Sequence, residues 1–274
     1  MKETLYSTGR IFLLLVLTTL LSSHELFLKT DSYFLKENQA AQVYLFNGTF
    51  DNSENAITTD RITGTRIVGT DYDYDPVERD YNIEGNVTYL SFTTGASGTY
   101  VAGISTLPRM IELEAPDFHE YLEHEGLDKV ISEREEQGIS DQLAREKYSK
   151  HVKALLQVGS IKSDHYKMEL GYPIEFIPLE NPYILKVGDK MRFRLLLGGK
   201  PLKDQGVHIS SRPDGPDPFA DEVGSQTDEN GEFSFEITEA GHWYVATVHM
   251  VQSQEEDIDY ESNWATLTFE IAAN

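Results

Sequence analysis

Histidine is the residue type in this chain that is best suited to binding a metal ion. His24 follows Ser23, and cleavage between them would make His24 the first residue of the mature chain. Its imidazole and the new α-amino group would then bind one metal ion through two nitrogens. Imidazole suits nickel, cobalt, copper and zinc. An α-amino group with a pKa of about 7.7–8 loses its proton to a metal near neutral pH. The sequence therefore predicts a metal chelate at His24.

Two further histidines lie near the ends of one predicted strand. His242 follows Gly241, and His249 lies further along the same strand at an odd spacing. Because side chains alternate between the faces of a strand, this spacing places the two histidines on opposite faces. We therefore expect that they do not share a site. His249 lies deeper in the predicted sheet and is the expected partner of His24, whereas His242 is a further candidate ligand beside a turn.

The sequence lacks the motifs of several common enzyme classes. It contains no cysteine, so disulfides, thiolate metal sites and thiol catalysis are excluded. It also contains no Gly-x-Ser-x-Gly elbow, no phosphate-binding loop and no dinucleotide-binding glycine motif. No pair among its many carboxylates stands out by spacing. We therefore predict that the protein is not an enzyme.

The charge balance argues against nucleic acid as a binding partner and favours cations. The chain has 46 acidic and 23 basic residues, which gives a formal net charge of −23. Such a protein repels a phosphate backbone, so nucleic acid is not an expected partner. An acidic surface also concentrates cations near the protein.

The first 23 residues have the pattern of a signal peptide. Lys2 and Arg10 precede an apolar run over residues 11–21, which is too short to span a bilayer comfortably. Ser22 and Ser23 then supply small residues at the cleavage point. We predict a signal peptide over residues 1–23 and a periplasmic or secreted protein, with an uncleaved N-terminal anchor as the alternative.

The rest of the chain has the pattern of a mainly β protein. Short strands with alternating or β-branched residues, separated by glycine turns, predict a β-sandwich module over residues 24–115 and a second over residues 174–274. Residues 116–158 are charged and helix-forming, and residues 142–156 space apolar side chains for one buried helical face. We therefore predict a helical insertion over residues 116–158 and a connector over residues 159–173.

Several motifs occur together in the order seen in one known family. They are His24-Glu-Leu-Phe-Leu, Phe118-His-Glu-Tyr-Leu, Arg145-Glu-Lys-Tyr-Ser-Lys-His-Val-Lys-Ala-Leu-Leu, Gly171-Tyr-Pro-Ile-Glu-Phe-Ile-Pro, Gly199-Lys-Pro-Leu, Thr227-Asp-Glu-Asn-Gly and Gly241-His-Trp-Tyr-Val-Ala-Thr-Val-His-Met. Over nearly the whole mature chain the sequence resembles the DUF4198 family, which is related to the periplasmic nickel and cobalt uptake component of the NikM kind. The second module resembles transthyretin-like, or carboxypeptidase-regulatory-like, domains.

The resemblance implies an exported accessory protein that captures a divalent transition metal for uptake. Nickel or cobalt is the expected ion, and copper or zinc would fit the same donors. The expected partner is a membrane metal transporter or an outer-membrane receptor. The alternative function is a non-catalytic β-sandwich interaction module that binds a membrane protein or a glycan.

Overall fold

The computed structural model describes residues 25–211 and 222–273, and His24 lies outside these residues. The strands in the first part of the chain are β1 (Glu25–Lys29), β2 (Phe34–Leu35), β3 (Ala40–Gly48), β4 (Ile62–Gly69), β5 (Tyr72–Tyr74), β6 (Tyr81–Glu84), β7 (Val87–Thr93), β8 (Gly98–Thr106) and β9 (Arg109–Leu113). Two helices follow, α1 (Ala115–His124) and α2 (Asp128–Gln137). The remaining strands are β10 (Ala144–Val158), β11 (Ile174–Pro178), β12 (Lys190–Leu197), β13 (Lys200–Pro201), β14 (Gly206–Ser211), β15 (Val223–Gln226), β16 (Glu232–Glu236), β17 (Gly241–Gln252) and β18 (Tyr260–Ile271).

A ten-stranded sheet forms the middle of the molecule. Its main order is β15-β14-β17-β18-β10-β8-β4-β5, and β2 and β9 also pair with β10. At the centre, β10 runs parallel to β18 and antiparallel to β8. Strands from both predicted modules are therefore hydrogen-bonded into one sheet, and the predicted boundary between the modules is not a boundary between sheets.

Two smaller sheets cover opposite faces of the large sheet. The N-terminal sheet has the order β1-β3-β7-β6, and Thr266 of β18 donates a 2.7 Å hydrogen bond to the Leu26 carbonyl of β1. The C-terminal sheet consists of β11, β12, β13 and β16, and its Phe235 stacks on Trp243 of β17 with ring centroids 5.3 Å apart. The protein is therefore mainly β with sandwich packing, as the strand pattern predicts.

The helix expected over residues 142–156 is not present, because this segment forms most of β10. Its residues from Lys150 to Val158 are buried in succession, as expected for a strand that is covered on both faces. Lys150 and Lys153 interrupt the apolar run, and the resulting spacing imitates a helical face. Hydrogen bonding to β8 and β18 overrides this local preference.

The helices α1 and α2 occupy the remaining part of the predicted insertion. They cover the same face of the large sheet as β1, with the Tyr121 and Trp264 rings stacked at 5.7 Å. A glycine ends α2, since Gly138 has a φ of 67° that favours a residue without a Cβ. Among the described residues, none of the helices has the length and hydropathy needed to cross a membrane.

A buried ion pair joins the large sheet to the C-terminal sheet. Lys153 Nζ lies 2.9 Å from Glu175 Oε2, and both side chains are only 2% exposed. Lys153 also donates to the Phe176 carbonyl, and Glu175 accepts hydrogen bonds from the Leu170 and Gly171 amides. Both charges are therefore compensated by hydrogen-bond partners as well as by each other.

Candidate functional site

The two described histidines that the sequence singles out lie far apart. The register between β17 and β18 is continuous from Gly241 to Gln252, so no bulge changes the alternation of side chains. His242 and His249 therefore lie on opposite faces, as predicted. Seven residues of strand separate them by about 23 Å along the chain, so they cannot bind one ion together.

His242 is packed among aromatic rings. Its ring centroid lies 5.2 Å from that of Tyr33 and 6.3 Å from that of Phe50. Its Nε2 atom lies 3.9 Å from Glu270 Oε2. These contacts give His242 a packing role in the described part of the chain, and they bring no second nitrogen ligand to it.

His249 has one ring nitrogen fixed by a neighbouring amide. Its Nδ1 lies 2.9 Å from Gln205 Oε1. Gln205 Nε2 donates to the Thr247 hydroxyl at 3.1 Å and to the Val248 carbonyl at 2.9 Å, which sets the orientation of the amide. Nδ1 therefore carries the hydrogen and Nε2 holds a lone pair. Burial and the positive charge of Lys129 lower the pKa of His249, which favours this neutral form.

A group of charged side chains surrounds the start of β1. We call Glu25, Glu125, Lys150, His208 and Glu222 the Glu25 cluster. Electrostatic interactions connect Glu25 to each of the other four members. The elements that bring them together are β1, the end of α1, β10, β14 and the segment before β15.

Glu25 itself is an unusual residue to bury. It is 7% exposed, and its Oε2 atom has no hydrogen-bond partner among the described residues. Burial raises the pKa of Glu25 well above the ordinary range, and the carboxylates of Glu125 and Glu222 raise it further. A buried carboxylate oxygen without a partner is costly, so this atom is available to a ligand or a proton.

His208 and Glu222 form the polar wall of the cluster beside β17. His208 Nδ1 lies 2.5 Å from Glu222 Oε1, and the Tyr244 hydroxyl donates to Glu222 Oε2 at 2.9 Å. Burial alone would lower the pKa of His208, but hydrogen bonding to Glu222 and its charge raise the pKa to about 9. His208 is therefore an imidazolium at neutral pH.

Lys150 supplies the second cation of the cluster. Burial lowers its pKa to about 8, against the opposing effect of Glu25. Its Nζ lies 5.0 Å from the centroid of the Trp264 ring and 3.4 Å from Asn47 Oδ1. The cluster thus combines three carboxyl groups with two cations, and Glu25, Glu125 and Lys150 are buried. Such an arrangement suits a charged ligand or a proton.

The described residues do not form a complete metal centre. No group of three or more His, Asp or Glu side chains within residues 25–211 and 222–273 is arranged to hold a metal ion. A site at the start of β1 would therefore need further donors, such as the imidazole and amino group of His24. His24 lies outside the described residues, so its expected chelate stays a prediction.

A match to a family profile covers most of the chain. The profile is that of a domain of unknown function, DUF4198, and it matches residues 21–251. The chain belongs to the DUF4198 family. The DUF4198 match begins before Glu25 and ends within β17, so it includes every member of the Glu25 cluster as well as His249.

A search of solved structures gives the DUF4198 chain distant structural neighbours. No curated protein matches it. The D0-D1 domain of intimin is 11% identical, with 89% of this chain and 97% of that chain covered and a TM-score of 0.21. Trypsin-activated alpha-2-macroglobulin from Escherichia coli is 10% identical, with 91% and 16% covered and a TM-score of 0.27. These superpositions are too loose to support an argument about function.

Sequence reasoning missed most of the Glu25 cluster. The spacing of apolar residues predicts a helix at Lys150, and His208 and Glu222 stand in segments without a recognisable motif. The usable signal was Glu25, a charged residue at the start of a strand whose next residues are Leu26, Phe27 and Leu28. Because apolar residues follow Glu25 on both faces of the strand, we expect its side chain to lie in the core or at the edge of the sheet. A charged residue in the core is uncommon and points to a function.

Proposed function

We propose that this DUF4198 protein is exported and captures a divalent transition metal at its mature N-terminus for delivery to a membrane transporter. The observation that supports this function is the position of Glu25. It directly follows His24, is buried, and has a carboxylate oxygen without a partner among the described residues. The N-terminal chelate would therefore form beside an available oxygen donor.

The chemistry of the Glu25 cluster fits such a site. His24 would supply two nitrogens, and Glu25 would supply an oxygen. This mixed set suits nickel or cobalt, and it also suits copper or zinc. Lys150 and His208 offset the carboxylate charges when no metal is bound. Their positive charge also weakens metal affinity, which is useful in a protein that must release its cargo.

The test is a calorimetric titration with nickel, cobalt, copper and zinc ions on protein that begins at His24. The same titration is run on a form with one extra N-terminal residue, which displaces the free amine from the imidazole. We expect tight one-to-one binding that falls at least tenfold in the extended form and in Glu25→Gln. His165→Ala is the matched control, because His165 lies on a short turn away from β1. Unchanged binding in the extended form would contradict the N-terminal chelate.

A second candidate function is glycan binding on the outer face of the N-terminal sheet. Tyr44 lies directly opposite Tyr89, with ring centroids 5.7 Å apart, and Phe46 lies 5.3 Å from Tyr44. Beside them, Gln42 donates a 3.0 Å hydrogen bond to Ser91. Aromatic rings flanked by amide and hydroxyl groups suit a neutral sugar. Affinity electrophoresis with neutral polysaccharides tests this function, and retardation that is lost in Tyr44→Ala would support it.

A further inference from the structure

Two arginines lie close together at the corner where β8 passes into β9. Arg61 ends the short 3₁₀ turn that leads into β4, and Arg109 is the first residue of β9. The Leu107 amide donates a 2.8 Å hydrogen bond to the Arg61 carbonyl, which ties the two segments together. Burial lowers the pKa of the Arg61 guanidinium, and the positive charge of Arg109 acts in the same direction. The two positive charges are therefore near enough to repel each other.

The ring of Tyr148 lies between these arginines and a third cation. Tyr148 on β10 is the direct register partner of Arg109. Arg61 Cζ lies 5.8 Å from the centroid of the Tyr148 ring, and Lys150 Nζ lies 5.7 Å from the same centroid. The face of an aromatic ring attracts cations, but it carries no formal charge to neutralise them. The positive charge at this corner is therefore only partly offset by the ring.

Carboxylates neutralise other arginines of this chain but not this pair. Within residues 25–211 and 222–273, neither Arg61 nor Arg109 has a carboxylate oxygen within 4.0 Å. Asp60 raises the pKa of Arg61 by less than Arg109 lowers it. Arginines that do form an ion pair with a carboxylate are Arg66, Arg145, Arg192 and Arg194. In a chain with 46 acidic residues, two adjacent arginines without a carboxylate point to an anion that comes from outside.

The guanidinium of Arg61 is held in place but incompletely hydrogen-bonded. Its Nη2 donates to the Leu107 carbonyl at 3.3 Å, which fixes the orientation of the group. Its Nε is buried and has no acceptor among the described residues. A buried donor of a charged group costs free energy when it has no partner. An anion beside the two arginines would offset this cost by neutralising the guanidinium.

We propose that Arg61 and Arg109 bind a phosphate group that carries two negative charges. A planar guanidinium donates paired N–H groups to two oxygens of one phosphate, and a second guanidinium contacts the remaining oxygens. A dianion matches the two uncompensated charges, whereas chloride or a single carboxylate leaves one of them. The acidic surface elsewhere repels a polymer of phosphates, so the ligand is a single phosphate group. This site goes beyond the proposed function and does not use the metal.

Inorganic phosphate and a small phosphate monoester share this chemistry, and calorimetry separates them. Wild-type protein is titrated with inorganic phosphate, glycerol 3-phosphate, acetate and succinate at equal ionic strength. We expect at least one of the two phosphates to bind at least tenfold more tightly than acetate and several-fold more tightly than succinate. Equal binding of both phosphates means that the site reads the phosphate group alone. Binding of only one identifies the free ion or the monoester as the ligand.

Substitutions test whether the two arginines hold the phosphate. Arg109 is exposed and Arg109→Gln should leave the fold intact while lowering phosphate affinity at least tenfold. Arg61→Lys keeps the charge but loses the planar fork, so affinity should fall several-fold. Arg192→Gln is the matched control, because it removes the same charge from an arginine that is paired with Glu180. This control should bind phosphate as the wild type does.

Thermal unfolding supplies a second measurement that does not depend on heats of binding. A ligand that binds only the folded state raises the unfolding temperature. The bound phosphate should therefore raise the midpoint of wild type and of Arg192→Gln, and it should not raise that of Arg109→Gln. Phosphates that bind no more tightly than acetate or succinate would overturn the proposal. Full phosphate affinity in folded Arg109→Gln would overturn it as well.

Discussion

At the scale of single residues, burial and partner charges set the protonation of the Glu25 cluster. The carboxyl of Glu25 is pushed towards its neutral form, while Glu222 is held ionised by His208 despite its own burial. Two carboxyl groups of one cluster thus have opposite protonation tendencies, because only Glu222 has a hydrogen-bonded cation. Glu25 therefore has a proton that it can release, whereas Glu222 keeps its negative charge.

The pKa of His208 predicts a pH dependence of stability. Its pKa in the folded protein is about 9, against an ordinary value of 6.5. The pair with Glu222 therefore contributes stability that is complete below pH 6.5 and is lost as the pH rises through 9. The contribution is at most ~3 kcal/mol. Urea unfolding at intervals from pH 6.5 to 8 should show the free-energy difference between wild type and His208→Gln shrinking as the pH rises.

The pKa of Lys150 predicts the opposite pH dependence of stability, so the pH range of the measurement has to separate Lys150 from His208. Its pKa falls from 10.5 to about 8 in the folded protein, because burial disfavours the charged form, so the destabilisation that this burial causes shrinks as the pH rises from 8 to 10.5. Measurements below pH 8 are dominated by His208 rather than by Lys150. If the wild-type and His208→Gln curves run parallel over that window, His208 does not gain its proton by folding.

The pair of Lys153 and Glu175 predicts a large loss of stability when one partner is removed. Lys153→Met leaves a buried carboxylate without its cation and should cost ~3–5 kcal/mol in the free energy of unfolding. The double variant with Glu175→Gln should recover more than half of that loss, because the amide still accepts from the Leu170 or Gly171 N–H. Urea denaturation of the three proteins checks this, and additive losses would contradict the coupling.

At the scale of elements, β10 decides how the chain is organised. The sequence pattern predicts a helix for most of this strand, because Lys150, His151 and Lys153 break the apolar run that identifies a buried strand. Each of these polar residues has partners that come from other elements, such as Ser105 for His151 and Glu175 for Lys153. Such partners are separated by tens of residues in sequence, so spacing alone could not reveal them.

The central position of β10 predicts an unequal response to truncation of side chains. Leu155 is fully buried in β10 between the two covering sheets, and Leu155→Ala should cost ~2–5 kcal/mol. Met110 on the neighbouring β9 is 50% exposed, and Met110→Ala should change stability by less than ~0.5 kcal/mol. Thermal and urea unfolding compare the two, and equal losses would show that β10 is not the centre of the core.

At the scale of the whole molecule, the shared sheet predicts one unfolding transition. The parallel pairing of β10 with β18 ties the first and second halves of the chain together from Glu146 to Ala154. Neither half can open without exposing the other, so calorimetric and van't Hoff enthalpies should agree. Two separated peaks in a calorimetric scan, or a calorimetric enthalpy well above the van't Hoff value, would show that the halves unfold independently.

The sequence predicts the class of the fold better than its connections. The mainly β pattern, the α1 region and the opposite faces of His242 and His249 follow from local periodicity, which the structure keeps. The joining of the two modules in one sheet does not follow from local periodicity. It depends on the pairing of β10 with β18, a strand about a hundred residues later in the chain. Likewise, the Glu25 cluster draws on five separate segments, and only Glu25 is marked by its neighbours in sequence.

The pairing of β10 with β18 also bears on how the protein is made. Synthesis delivers β10 long before β18, and until Tyr260–Ile271 emerges, one edge of β10 displays unpaired backbone N–H and C=O groups. Such an edge invites pairing with another chain. A nascent chain that stalls in this interval is expected to need a chaperone, and a product that stops short of β18 is expected to aggregate instead of leaving a folded first half. Quality control of this protein therefore depends on one late strand.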